Sequence, residues 1–154
     1  MKYKIGFSKK STDICDVSGL AIYKTIRKTY FFRRKYYVYD QNDNLLLVFQ
    51  QSDILLFFTK TEILVNNLGE NFEYRTKGLM YILNIGRDEI SFNGKIAGYL
   101  KSEFKVNGKT VGFINEEYQF PNNLMTITFL KSDVKNKFCL ILFIIATVNY
   151  WDTN

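Results

Sequence analysis

Phe138-Cys139-Leu140-Ile141-Leu142-Phe143-Ile144-Ile145-Ala146-Thr147-Val148 is an apolar run relieved by one threonine, and Tyr150-Trp151 nearly extends it. As a strand, the 14 residues from Phe138 to Trp151 would span about 46 Å at about 3.3 Å per residue, more than twice a typical strand. As a helix they would span about 21 Å. Length therefore predicts a helix over about residues 137–151, although Ile, Val and Phe lower its propensity and leave a pair of short strands as the alternative. The run falls short of the roughly 20 apolar residues that cross a bilayer core of about 30 Å, so a transmembrane span is not expected. A helix apolar on every face needs protein on every side. If the rest of the chain is strands, the inside of a barrel meets that need. About eight strands leave a lumen that side chains fill, so about 11 or 12 are needed to admit a helix about 10–12 Å across.

The remainder does read as strands. Tyr3, Ile5 and Phe7 alternate with polar residues, and Leu20 to Tyr30 follows with a looser alternation. Lys35 to Asp40 and Leu45 to Phe49 flank the turn formers Gln41-Asn42-Asp43-Asn44 and read as a hairpin. Further strands are expected at Ile54–Phe58, Glu62–Val65, Leu79–Ile85, Glu89–Phe92, Ile96–Leu100, Phe104–Val106, Thr110–Ile114 and Leu124–Leu130. Turn chemistry separates them at Asn66-Asn67-Leu68-Gly69, Asn93-Gly94, Asn107-Gly108 and Pro121-Asn122-Asn123. The two Asn-Gly pairs are the sharpest signals, because a type I′ turn needs φ > 0 at both central residues. The fold class expected is mainly β, a closed antiparallel β-barrel of about 12 strands enclosing one apolar C-terminal α-helix, as a single domain over 1–154.

Many antiparallel strands followed by one wholly apolar helix resemble the tubby C-terminal-like superfamily, which includes the LURP-one-related proteins and phospholipid scramblases. The local match is a basic and aromatic hairpin, Arg27-Lys28-Thr29-Tyr30-Phe31-Phe32-Arg33-Arg34-Lys35-Tyr36-Tyr37-Val38-Tyr39-Asp40, leading into Gln41-Asn42-Asp43-Asn44-Leu45-Leu46. Tyr36, Val38 and Asp40 fit the YxVxDxxGxx segment of small relatives, while Asp43 stands where Gly is usual. Asp also tolerates the left-handed region, so the turn can survive the change. The resemblance covers about residues 20–152. It implies a barrel around a central helix and no single activity, since the superfamily spans phosphoinositide binding and proposed lipid scrambling.

Charge is concentrated on the same hairpin. Of 21 Lys+Arg and 15 Asp+Glu, the first 40 residues hold ten and three, a net of +7, and the rest of the chain nets −1. Arg27, Lys28, Arg33, Arg34 and Lys35 place five cations within nine residues, interleaved with Tyr30, Phe31, Phe32, Tyr36 and Tyr37. They are the candidate anion- or lipid-binding residues, since each surface cation is worth about 1 kcal/mol against an anionic membrane. An acidic protein surface would meet the same cations, as in an inhibitor or immunity protein that blocks a toxin or enzyme. Nucleic acid fits less well, although cations on phosphate and rings on bases have the same composition. The structural alternative is a solvated hairpin whose aromatics face the barrel interior and whose cations only keep an edge soluble.

Catalytic chemistry finds no support. The chain has no histidine, which removes imidazole as base, acid or ligand. Cys15 and Cys139 are too few for a cysteine metal site, Cys15 sits beside Asp13 and Asp16 rather than a cation, and Cys139 reads as a small hydrophobe. Asp88-Glu89 and Glu116-Glu117 are adjacent pairs, and strand neighbours point to opposite faces. Asp40, Asn42, Asp43 and Asn44 share one turn, which reads as turn capping before a cation site. Gly108-Lys109-Thr110 ends like a phosphate loop, but Glu103 replaces its first glycine. No catalytic residue, metal or cofactor is expected. The start of the chain has neither an apolar core of about 7–15 residues nor a cleavage site, so a cytoplasmic location is expected, peripheral at the membrane if the hairpin binds lipid.

Overall fold

A computed structural model describes residues 1–7, 11–54, 58–94, 102–119 and 122–148. Twelve strands precede one helix: β1 (Lys2–Phe7), β2 (Ser11–Cys15), β3 (Ala21–Tyr30), β4 (Arg33–Asp40), β5 (Leu45–Ile54), β6 (Phe58–Asn66), β7 (Phe72–Lys77), β8 (Met80–Ile85), β9 (Asp88–Asn93), β10 (Ser102–Val106), β11 (Lys109–Gln119), β12 (Asn122–Phe129) and α1 (Asn136–Thr147). They form one antiparallel sheet in the order β6-β5-β4-β3-β2-β1-β12-β11-β10-β9-β8-β7. Each strand pairs with its sequence neighbour, except that β1 pairs with β12 and β6 and β7 are the sheet's two edges. Among the described residues no ladder joins β6 to β7, so hydrogen bonding leaves the sheet open at that seam.

Two turns follow directly from their residues. Asn107 and Gly108, between paired Val106 and Lys109, have φ of 50° and 78°, the sign a type I′ turn requires. Asp43 takes the left-handed conformation at φ 59°. Asp40 fastens that turn by accepting from the backbone of Asn42 and Asn44 at 2.8 and 2.9 Å.

Inward residues alternate with outward ones along each strand. Tyr3 and Ile5 of β1, Ile14 of β2, Tyr36 and Val38 of β4, Leu47 and Phe49 of β5, and Phe129 of β12 join one core with α1. Phe138 to Val148 are all buried. The sheet therefore curves around the helix, helped by register shifts at Ile14/Cys15, Val38/Tyr39, Val48/Phe49 and Phe104/Lys105, since a bulge increases local twist. Inside, Phe143 of α1 lies 6.2 Å from Phe92, which lies 5.1 Å from Phe104. Thr147 is the one hydroxyl on the helix run and donates to the Phe143 carbonyl at 2.7 Å, which satisfies it without a partner outside the helix.

The strand count and the helix agree with the sequence reading, and several details differ. Of the expected strand Ile54–Phe58, residues 55–57 lie outside the described residues, while Ile54 ends β5, Phe58 begins β6 and the two pair with each other. Asn122 and Asn123, expected in a turn, belong to β12 and pair with Gln119 and Tyr118, while Pro121 lies outside the described residues. Strands β2 and β7 are absent from the expected set, and in β2 Thr12 and Ile14 are both wholly buried. The expected strand Ile96–Leu100 and the final helical residues, with Tyr150 and Trp151, lie outside the described residues. Asn93-Gly94 is not the expected type I′ turn: Asn93 pairs with Met80, the Gly94 N–H donates to the Leu79 carbonyl, and neither residue has positive φ, while the connection that follows lies outside the described residues.

Candidate functional site

In an antiparallel meander, successive connections alternate between two ends of the sheet. The β3–β4 hairpin tip, Phe31-Phe32, belongs to one end. The β4–β5, β6–β7, β8–β9 and β10–β11 turns and the β12–α1 connection belong to the other. Contacts at that second end anchor the start of the helix: Lys135 Nζ lies 2.7 Å from Asp88 Oδ2 and Lys137 Nζ donates to the Leu68 carbonyl at 3.3 Å. The helix thus runs towards the end that carries the basic hairpin.

Register divides the five candidate cations between the two faces of that hairpin. Arg27 lies opposite buried Tyr36, and Arg34 opposite buried Gln51. Both therefore sit on the core-bearing face, near the tip. Lys28 and Lys35 face each other across the ladder, Arg33 faces Tyr30, and these three take the outer face. There Lys28 Nζ stands 4.9 Å from the Tyr37 ring centre and Lys35 Nζ 6.0 Å from that of Tyr30, within reach of cation–π attraction.

The core-bearing face turns polar towards the tips on four neighbouring strands. Val38 and Tyr36 of β4 give way to Arg34, and Leu47 and Phe49 of β5 to Gln51 and Asp53. Tyr23 of β3 gives way to Thr25 and Arg27, and Ile63 of β6 to Thr61 and Thr59. Arg34 Nη2 lies 2.7 Å from Asp53 Oδ1, which also accepts from Thr59 Oγ1 at 3.2 Å. Arg27, Thr29, Phe31, Phe32, Arg34 and Asp53 line an open recess of about 330 Å³. The arrangement can hold an anionic group between guanidinium and hydroxyl donors, with one carboxylate already offsetting part of the positive charge.

The hairpin's aromatics divide as well, so the solvated-hairpin alternative fits only one of them. Tyr36 is fully buried and stacks on Phe49 at 4.9 Å. Tyr30, Phe31 and Phe32 are exposed, Phe31 at 99% and Phe32 at 83%. Counting back by twos from core residues Val38 and Tyr36 assigns Arg34 its face from sequence alone. Arg27 needs the β3–β4 register, which sequence did not supply.

Other candidates resolve into structural roles. Asp88 is held by Lys135 and accepts from Asn107 Nδ2 at 2.7 Å, while Glu89 pairs with Arg75 Nη2 at 3.0 Å. The two carboxylates thus have separate partners, as their opposite faces required. The side chain of Glu117 lies outside the described residues. The Asp40 carboxyl is held below the usual range, chiefly by its hydrogen bonds from Asn44. No group of three or more acidic or cysteine side chains able to hold a metal occurs among the described residues. Gly108-Lys109-Thr110 lies in a hairpin turn, not before a helix. Burial pushes the Cys139 thiol up to about 12, and burial with Asp13 and Asp16 also raises Cys15, so neither favours its reactive thiolate. No described helix is long and apolar enough to cross a membrane.

No family model, curated protein or solved structure matches this chain.

Proposed function

We propose that this protein is a non-enzymatic binding module that docks peripherally on an anionic, phosphoinositide-like membrane surface through its β3–β4 hairpin, from the cytoplasmic side. The observation that carries the reading is that Arg27, Lys28, Arg33, Arg34 and Lys35 all lie near one hairpin tip, at one end of the sheet. The local resemblance to tubby-like and scramblase-like proteins, in Tyr36, Val38 and Asp40, supports it. With Asp53 offsetting one charge, about four net cations at about 1 kcal/mol each give roughly 4 kcal/mol, near a thousandfold preference for an anionic surface.

The sheet, on this reading, closes as a tubby-like barrel around α1. A side-chain contact crosses the seam in place of a ladder: Thr61 of β6 hydrogen-bonds the Tyr74 phenol of β7. A helix buried on every face argues the same way.

Vesicle flotation tests the function, comparing phosphatidylcholine alone with mixtures containing phosphatidylserine or phosphoinositide. Salt is raised from about 0.1 M to 1 M, which shortens the screening length from about 10 Å to 3 Å. Binding should need the anionic lipid and fade with salt. Replacing Lys28, Arg33 and Lys35 with glutamine should abolish it while thermal unfolding stays unchanged. Binding indifferent to lipid charge and salt would overturn the membrane reading and turn the search to an acidic protein partner, with an inhibitor or immunity role.

A further inference from the structure

We propose that Phe31 and Phe32 form a wedge that inserts into the bilayer at the depth of the headgroup–acyl boundary, fixing which end of the molecule faces the membrane. This rests on the docking reading above and adds a depth and an orientation to it. Both rings stand at the tip of a two-residue turn between Tyr30 and Arg33, 99% and 83% exposed, so neither is packed into the core.

Phe31 holds φ at 47°, a region that bulky side chains rarely enter and that glycine or asparagine takes at far lower cost. Core packing cannot explain that choice, since the ring is solvated. A strained residue whose side chain gives the fold nothing points to a role outside the fold.

Polarity is graded along the hairpin axis. Aromatic rings occupy the tip and Arg33 follows immediately. Lys28 and Lys35 stand three residues behind, about 10 Å at about 3.3 Å per residue. With the rings at the acyl boundary, those cations fall among the anionic headgroups, the layout of an interfacial anchor. The β7–β8 hairpin ends at the same end of the sheet, with Leu79 and Met80 exposed at 55% and 42%. Those two side chains add apolar surface at that end of the sheet.

Phe31→Trp supplies the probe, read as fluorescence quenching by lipids brominated along the acyl chain, with the parent protein as blank for its own tryptophan. Quenching should appear with anionic vesicles and be absent from a Val17→Trp variant at the opposite end. Phe31→Ser with Phe32→Ser should lower partitioning about a hundredfold, roughly tenfold per ring. Val17→Ser with Leu20→Ser should leave it unchanged. Phe31→Gly should keep or raise the unfolding midpoint while weakening binding; a lower midpoint would assign the ring to the fold and overturn the proposal. Salt-sensitive binding without quenching would overturn the wedge and leave electrostatic docking standing. Absence of binding to every vesicle would overturn both.

Discussion

The rings of Phe104 on β10 and Phe129 on β12 lie 5.7 Å apart across the strand that separates them. They meet because the β11 residue paired with both is Gly112. A Cβ there would stand 2.6 Å from Phe129 Cδ1 and 2.9 Å from the Thr128 carbonyl oxygen. The ring could turn aside, but the carbonyl belongs to the sheet. Gly112→Ala should therefore lower unfolding free energy by about 2 kcal/mol, the usual scale of overpacking. Urea denaturation with an unchanged m-value checks it.

Ile144 lies in the C-terminal half of α1 and is wholly buried. Ile144→Asp would strand an unpaired carboxylate in the core at several kcal/mol, and the chain should not fold. Ile144→Val should fold and lose only about 1 kcal/mol. A folded, monomeric Ile144→Asp protein would show that α1 is not the core.

Thr61 of β6 hydrogen-bonds the Tyr74 phenol of β7 across the seam. Tyr74→Phe keeps the ring and removes the bond, so stability should fall by about 1 kcal/mol. Hydrogen exchange should quicken first in β6 and β7, the edges without a ladder between them. Uniform quickening across the sheet would contradict a localised seam.

Asp88 and Lys135 tie the β8–β9 turn to the start of α1. Hydrogen bonds from Lys135 and then Asn107 hold the Asp88 carboxyl below its ordinary 3.8, and the same contact raises the Lys135 ammonium above 10.5. A depressed carboxyl contributes stability that is present above its ordinary value and lost as pH falls through the lowered one. A raised ammonium contributes stability that is present below its ordinary value and lost as pH rises through the raised one. The Tm gap between the parent and Asp88→Asn should therefore hold steady from about pH 5 to 9 and narrow on both sides. A gap independent of pH would mean that the ion pair contributes nothing.

Legibility followed the range of the forces involved. The Asn107-Gly108 turn, the Gln41–Asn44 turn and the apolar α1 run were readable because each depends on residues within one turn or one helix length. Strand β7 carries a short alternation of Phe72 and Tyr74 with Glu73 and Arg75, which beside charged neighbours does not separate a strand from a loop. Strand β2 had a weaker one, since Thr12 and Ile14 become core positions only when β1 and β3 flank them. The hairpin cations stand out in the sequence as a cluster, not by face. Sorting Arg27 requires knowing that it lies opposite Tyr36.

By itself, the sequence determined a strand-rich chain with hairpin punctuation, one helix that must be enclosed, and a positive charge confined to one hairpin. Those properties are local: alternation, left-handed turn residues, run length and charge order need no distant partner. Only the tertiary structure decided that Asp53 neutralises part of the basic mouth, that Phe104 meets Phe129 over Gly112, that β6 and β7 share no ladder, and that Phe31 and Phe32 are exposed. Each of these depends on register and curvature, which emerge only when strands far apart in the chain are brought side by side.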